Sequence, residues 1–422
     1  MIDLSPFANQ RFYVVGLGAS GASAARALSA AGAVVEVWDD REGLETPHRL
    51  IPPKAQDYTG LTALVLAPGI PLTHPEPHPA AKAALAAGIP VISDVELAFR
   101  AGLKAKAIGI TGTNGKSTTT ALVQHALTTL GQKSVIGGNF GVPILDCDDP
   151  GPEGFMVLEL SSYQLDLSPG YPLAAACLLN ISPDHLDRHG GLEGYAKAKA
   201  RIFRDAKTKI VTGADAKSQA IAREVGADLL SPSDWAVFAE TPALRGAHNQ
   251  QNQAAACALL EAVGFERTAL IEAFQSFPGI AHRQEILGQT DTWLFVNDSK
   301  ATNVDSAIRA LNAFEGIHWL AGGLGKEGDA SHLLPALKNV QMAYLYGQNR
   351  EALASLCAAA GTPHQLFDTL DQAFAAAMQA QGGTLLLSPA AASWDQYKSF
   401  EARGDHFRAL VQPYLSPQEV AA

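Results

Sequence analysis

A chain of 422 residues has room for two or three domains at roughly 100–200 residues each. Its apolar fraction of 47% supports sizeable cores, and its formal net charge of −11 argues against a general binder of nucleic acid or anionic membrane. MIDLSPFANQ lacks a basic run followed by an apolar one, and no stretch of about 18 apolar residues occurs, so neither a signal peptide nor a membrane span is expected.

The elements follow in chain order. A strand at Arg11–Gly16 leads through a Gly-rich turn into an Ala-rich helix ending near Ala31. A second strand, Val34–Trp38, stops at Asp39-Asp40, and a third, Leu64–Ala67, is closed by Pro68-Gly69. Strand, helix, strand in alternation implies a parallel sheet. A new unit begins after residue 97, with strands at Ala107–Ile110, Met156–Leu160, Ala176–Leu179 and Lys209–Thr212 and helices at Lys116–Leu130 and Asn249–Val263. The Pro278-Gly279-Ile280 turn marks a second boundary. Beyond it lie strands at Trp293–Val296, His318–Ala321, Ala343–Tyr346 and Thr384–Leu387, each ending near Gly, Asp or Ser. Ligands of open α/β sheets gather at such carboxyl ends. Cys147, Cys177, Cys257 and Cys357 form no CxxC pair and read as buried thiols of a reducing compartment.

Between a buried strand and a helix sits Thr111-Gly-Thr-Asn-Gly-Lys-Ser-Thr118. Its glycines let backbone N–H groups close around phosphate, the helix N-terminus adds a favourable dipole, Lys116 brings a point charge, and Ser117 offers a hydroxyl to Mg²⁺. The strict G-x-x-x-x-G-K-[ST] pattern fails because Ile110 holds the first Gly position. Glu159, at the end of an apolar strand, is placed to give phosphoryl transfer an anionic metal ligand; the plainer reading is an ion-paired Glu. Asp184, His185, Asp187 and His189 crowd the loop after the next strand, where they either ligate metal and orient phosphate or cap a helix. Lys197 and Lys199 follow on a helix, and their default reading is a solvated face. Upstream, Gly16-Leu-Gly18-Ala-Ser-Gly21 fits G-x-G-x-x-G with Asp39 about 20 residues on, a dinucleotide signature that by itself favours an NAD-dependent oxidoreductase.

From Gly16 to about Arg403 the chain resembles the Mur ligase family, in the family's order: TGTNGKST (111–118), GGNFG (137–141), LELSSYQL (158–165), PDHLDRH (183–189), KARIF (199–203), HNQQN (248–252), His282-Arg283, NDSKATN (297–303), GGLGK (322–326) and LLSPAAASWDQYKSF (386–400). NDSKATN resembles the D-glutamate-adding branch. The resemblance implies an α/β chain of three domains. These would be a Rossmann-like N-terminal domain for a UDP-substrate (1–97), a central P-loop ATPase-type parallel sheet (98–280) and a C-terminal Rossmann-like domain for D-glutamate (281–422).

It further implies ATP-driven ligation of D-glutamate to UDP-N-acetylmuramoyl-L-alanine, for peptidoglycan, through an acyl phosphate. Lys116, Glu159, His185 and Lys199 would be catalytic. Glu159, His185, Lys199 and Ser117 would hold two Mg²⁺, with Lys199 as a carbamate. ATP would meet Gly112, Thr113, Asn114, Gly115, Lys116, Ser117, Thr118, Asn249, Asn252, Arg283, Asp298 and Lys300. The UDP-substrate would meet Gly18, Ala19, Ser20, Asp39, Asp40, Arg41, Gly69, Asn139, Ser161 and His185, and D-glutamate Thr302, Lys326, Ser393 and Phe400. A cytoplasmic monomer acting on small molecules, with no nucleic-acid or membrane partner, completes the expectation. One position departs from the family: Ala67 stands before PGI where Ser is common, removing a hydroxyl but leaving the loop backbone. Folylpolyglutamate synthase-like ligases are the nearest enzymatic alternative.

Overall fold

Three sheets carry the chain. The computed structural model describes residues 2–241, 243–325 and 330–415. In the first sheet β1 (Arg11–Val15), β2 (Val34–Trp38), β3 (Arg49–Leu50), β4 (Ala63–Leu66) and β5 (Val91–Ile92) lie parallel in the order β3-β2-β1-β4-β5. Alternate residues of β1 enter two different apolar clusters, Phe12 and Val14 in one and Tyr13 and Val15 in the other. Both faces are therefore covered, which is why the strand reads as continuously apolar.

The second sheet holds β6 (Lys106–Thr111), β7 (Ser134–Gly138), β8 (Phe155–Glu159), β9 (Ala175–Leu178), β10 (Thr208–Val211) and β11 (Asp228–Leu229), parallel throughout in the order β11-β10-β9-β6-β8-β7. β6 lies between β9 and β8, so the segments leaving the carboxyl ends of these three strands emerge side by side. The first two sheets share one cluster: Phe12 and Val14 belong to the same core as Met156, Leu158 and Tyr171. Phe99 stacks on Tyr171 at 5.0 Å, and Ser93 Oγ lies 3.1 Å from the Tyr171 hydroxyl. Accordingly the residues through Ala239, with Ala247–Phe277, form one compact unit, and Glu240–Gly246 with Pro278 onward form another.

The second unit carries β12 (Glu285–Gln289), β13 (Trp293–Asn297), β14 (Ile317–Gly322), β15 (Val340–Tyr346), β16 (His364–Leu366) and β17 (Gly383–Leu387), in the order β12-β13-β17-β14-β15-β16. Only the edge strand β12 runs antiparallel, and it bulges between Ile286 and Gly288. The sequence-expected strands all form, Val34–Trp38 with the expected bounds and the others with at least one end shifted by up to three residues. The strands it misses are mostly edges of two or three residues (β3, β5, β11, β16), too short to show a hydrophobic period. Among the described residues no helix is long and apolar enough to cross a membrane, and the four cysteines are buried and unbridged.

Gly21 shows how tightly the first turn is built. It lies in the helix Ala19–Ala30, where an added Cβ would sit 1.8 Å from the Gly16 carbonyl oxygen. Backbone cannot yield as a side chain can, so Gly21→Ala is expected to cost about 1–3 kcal/mol, as overpacking does. Urea denaturation checks this; an unchanged midpoint would refute the close approach.

Candidate active site

At the end of β6 the backbone turns through Gly112 (φ +153°) and Gly115 (φ +86°) into the helix Lys116–Thr129. Both dihedrals need glycine. The loop is held from β9 by Asn180: its side-chain oxygen accepts from the Asn114 N–H at 2.9 Å, and its amide donates to the Asn114 carbonyl at 3.0 Å. Lys116 Nζ folds back to donate to the carbonyls of Gly112 (2.9 Å) and Thr113 (2.8 Å). Free N–H groups of a helix start, cradled by glycines, are suited to bind phosphate.

From the neighbouring β8 comes Glu159, 2% exposed. Its carboxylate accepts from Ser117 Oγ at 2.7 Å and from the Asn139 amide at 2.8 Å. The Asn139 N–H also donates to the Glu159 carbonyl at 2.8 Å. A buried carboxylate joined to the loop hydroxyl is a hard-oxygen pair of the kind Mg²⁺ prefers. Among the described residues, however, no group of three or more His, Cys, Asp or Glu side chains is disposed to hold a metal. The oxygen donors the structure brings together here are the Glu159 carboxylate and the Ser117 hydroxyl.

Lys199 reverses its plain sequence reading. Lys197 is exposed, but Lys199 is 1% exposed on the inner face of the helix Leu192–Ala200. Its Nζ donates to the Gly112 carbonyl at 2.8 Å, reaches Thr111 Oγ1 at 3.4 Å and lies 4.7 Å over the Tyr195 ring. Burial, followed by the nearby Lys116 charge, holds its amine well below the usual lysine range. Tyr195, four residues earlier on the same helical face, also reaches Thr113 Oγ1 at 3.0 Å. That i, i+4 pairing was available in the sequence but not used.

The remaining expected groups fall into sets. Asn249 and Asn252 are buried on the helix Ala247–Glu261 and bond to each other at 3.0 Å. Asn252 Oδ1 lies where it would meet a Gly115 Cβ at 2.4 Å, so this pair abuts the phosphate loop. His185 has φ +51°, its ring lies 5.0 Å from that of Tyr163, and its Nε2 meets Asp184 at 3.5 Å. Ser161 caps the short helix Ser162–Asp166 in a capping box with Gln164. Gly18, Ala19 and Ser20 open the first helix, with Gly18 as its N-cap. Asp39 accepts from the Leu17 N–H at 2.5 Å and binds Arg41 through both carboxylate oxygens, at 2.7 and 2.9 Å. Arg41 holds its pKa down at about 2. The acid that would bind a dinucleotide ribose is thus already committed to a guanidinium. Asp40 meets His78 at 3.1 Å, and Gly69 lies in the loop after β4.

In the second unit, Asp298 at the end of β13 accepts from Ser388 Oγ (2.8 Å) and from the Gln284 N–H (3.1 Å). Burial pushes its carboxyl up to about 7. Lys300 Nζ sits 3.8 Å over the Phe400 ring, the Thr302 N–H donates to the Lys300 carbonyl at 2.8 Å, and Ser393 is buried. Arg283 stands between His282 and Gln284 in the turn before β12, and Lys326 lies outside the described residues. Arg403, which sequence reasoning did not single out, is wholly buried and donates to Ser299 Oγ (3.0 Å), the Ser299 carbonyl (2.8 Å) and the Gly322 carbonyl (3.4 Å).

Comparison with known proteins agrees with this architecture. Residues 110–232 match the Mur ligase middle domain, and residues 282–391 match the family described as Mur ligase, glutamate ligase domain. A UDP-N-acetylmuramoylalanine--D-glutamate ligase of Agrobacterium fabrum is 40% identical, the alignment covering 97% of each chain. The enzyme of the same name from Dinoroseobacter shibae is 40% identical over 98% of this chain and 100% of its own. In fold, the chain resembles a UDP-N-acetylmuramate-alanine ligase of Thermotoga maritima (TM-score 0.62, 16% identity, 96% and 100% covered). It also resembles E. coli FolC in complex with DHPP and ADP (TM-score 0.54, 19% identity, 74% and 91% covered). The chain therefore belongs to the Mur ligase family, among relatives named UDP-N-acetylmuramoylalanine--D-glutamate ligases.

Beside the site, His189 packs between Tyr163 and Tyr195 and meets Ser162 Oγ at 3.0 Å; burial pulls its imidazole down to about 4. A base with a depressed folded pKa stays neutral in the fold, while the unfolded chain takes up the proton near 6.5. Stability is then lost as pH falls from about 6.5 toward 4. NMR titration should show His189 neutral at pH 5.5, and an imidazole titrating near 6.5 would refute the packing argument.

Proposed function

We propose that the chain forms the amide bond between the L-alanyl carboxylate of UDP-N-acetylmuramoyl-L-alanine and the amine of D-glutamate, driven by ATP. The observation that carries this reading is the convergence of the Gly112–Thr118 loop, Glu159 from the neighbouring strand end and buried Lys199 from the helix Leu192–Ala200, in a chain whose relatives bear that name. Residues 1–97 take the UDP-substrate through Gly18, Ala19, Ser20, Asp39, Asp40, Arg41 and Gly69, with Asn139, Ser161 and His185 from the second sheet. Residues 98–280 take ATP through Gly112–Thr118, Asn249 and Asn252. Residues 281–422 contribute Arg283, Asp298 and Lys300 toward the nucleotide and Thr302, Lys326, Ser393 and Phe400 toward D-glutamate. The enzyme acts as a cytoplasmic monomer.

In the first step the carboxylate oxygen attacks the γ-phosphorus and ADP leaves, giving an acyl phosphate. In the second the neutral amine attacks the acyl carbon, inorganic phosphate leaves and the amine loses a proton. Lys116 turns its charge on the transferring phosphoryl group, where a preorganised cation acts most strongly. Mg²⁺, held by Ser117, Glu159, His185 and a carbamate on Lys199, would neutralise phosphate charge. The carbamate follows from chemistry at Nζ: burial favours the neutral amine, whose lone pair adds to CO₂ with loss of a proton. The modification replaces a cation next to phosphate with an oxygen ligand.

Phosphate release is expected only when both the UDP-substrate and D-glutamate are present, with L-glutamate much poorer. Equal rates with L-glutamate or L-lysine would sink the branch assignment. Lys116→Ala should fold normally and lose several hundredfold in rate, about 3–4 kcal/mol of transition-state stabilisation. Near-normal turnover would remove the phosphate-loop argument. Lys199→Arg keeps a cation that cannot be carbamylated. It should abolish activity and, the site being buried, also lower the melting temperature, so turnover is compared at a temperature where circular dichroism shows the variant folded. Lys197→Arg on the exposed face should be silent, and wild-type turnover in Lys199→Arg would withdraw the two-metal scheme.

A further inference from the structure

Arg188 lies on the one-turn helix Leu186–His189, three residues after His185, and is 8% exposed. Its guanidinium reaches out of the second sheet's loops into the first sheet's. Nη1 donates to the His74 carbonyl at 3.2 Å; Nη2 donates to the Pro68 carbonyl at 3.4 Å and to the Ile70 carbonyl. Its central carbon stands 5.1 Å over the Tyr163 ring, which is itself 5.0 Å from the His185 ring. A second contact joins the same two segments: a Cβ on Gly190 (φ +66°) would fall 2.8 Å from His74 Nε2. The loop after β4 and the loop after β9 are therefore docked closely, with one arginine at the joint.

Among the described residues no carboxylate forms an ion pair with Arg188; Asp166 and Asp187 act on it only at longer range. Its Nε has no hydrogen-bond partner. Burying a cation against neutral carbonyls is costly, and one whose only role was to brace the fold would be better served by a carboxylate or an apolar residue. The Pro68 and Ile70 carbonyls flank Gly69 and both face the guanidinium, which fixes the turn between them. We infer that Arg188 is a positioning residue: it locks the Gly69 loop to the His185 loop, so that the substrate's diphosphate and its reacting carboxylate are set by a single side chain. This rests on the assignment of Gly69 and His185 to the UDP-substrate.

The test uses Arg188→Met and Arg188→Lys in the full-length chain, with steady-state kinetics, equilibrium binding of UDP-N-acetylmuramoyl-L-alanine and of ADP, and melting temperature. Arg188→Met should raise KM and Kd for the UDP-substrate by about 30-fold, the scale of lost charge-assisted hydrogen bonds, and lower kcat as His185 is released. ADP affinity should stay within about twofold, because the phosphate loop is anchored separately through Asn180. Arg188→Lys keeps the charge but loses the fork, and should recover part of the affinity. An unchanged KM in Arg188→Lys and Arg188→Met, or an equal loss of ADP and UDP-substrate binding, would overturn the inference. Should Arg188→Met fail to fold, Arg188→Lys alone decides between the two outcomes. Failure of the wild-type chain to bind the UDP-substrate would instead sink the functional reading itself.

Discussion

Two lysines share one carbonyl oxygen. Gly112 O accepts from Lys116 Nζ at 2.9 Å and from Lys199 Nζ at 2.8 Å. That oxygen is exposed to both because Gly112 takes φ +153°, and a side chain there would meet Leu179 Cβ at 2.9 Å. Two ammonium groups at one acceptor in a buried site repel, and the deeper one yields. Lys199 is the deeper, and burial first, then the Lys116 charge, drives its amine toward neutrality. One backbone conformation thus orients two chemically identical side chains, one buried and one at the loop.

Strand order supplies the rest of the site. With β6 between β9 and β8, the phosphate loop has Asn180 on one side and Glu159 on the other. Glu159 contributes one hydrogen bond to the loop, through Ser117, and the Asn180 side chain two, to Asn114. Neither is close in sequence to Lys116, so the constellation belongs to the sheet rather than to any motif. The same logic extends to the first sheet, whose core is continuous with the second and whose carboxyl-end loop is gripped by Arg188.

Much of this was legible in the chain. β1, β6, β8 and β9 are built on short, mainly apolar runs that the fold buries, and burial leaves such runs little choice. The phosphate loop was legible because its chemistry is local: glycines, lysine and hydroxyl are consecutive. Lys199 was not legible from residues alone. Lys197 and Lys199 sit two apart on one helix, and nothing nearby says which faces inward; that is decided by Thr111 and Gly112, almost ninety residues earlier. Arg188 was hidden for the same reason, its acceptors lying 114 to 120 residues away. Edge strands such as β3 and β16 were missed because exposed pairs and triplets of residues carry no period.

The acidic balance of the chain is the last piece to reconcile with polyanionic substrates. Surface arginines are cancelled locally: Arg26 by Asp146, Arg267 by Glu261 and Arg408 by Glu285. The buried ones are treated differently. Arg188 is held by three carbonyls, and Arg403 by two carbonyls and a hydroxyl. A carbonyl fixes a guanidinium's direction without neutralising it, so its field survives. Net charge therefore says little about the site. What matters is whether each cation is paired with an anion or oriented by a dipole, and this chain orients its two buried arginines, Arg188 and Arg403, by carbonyls.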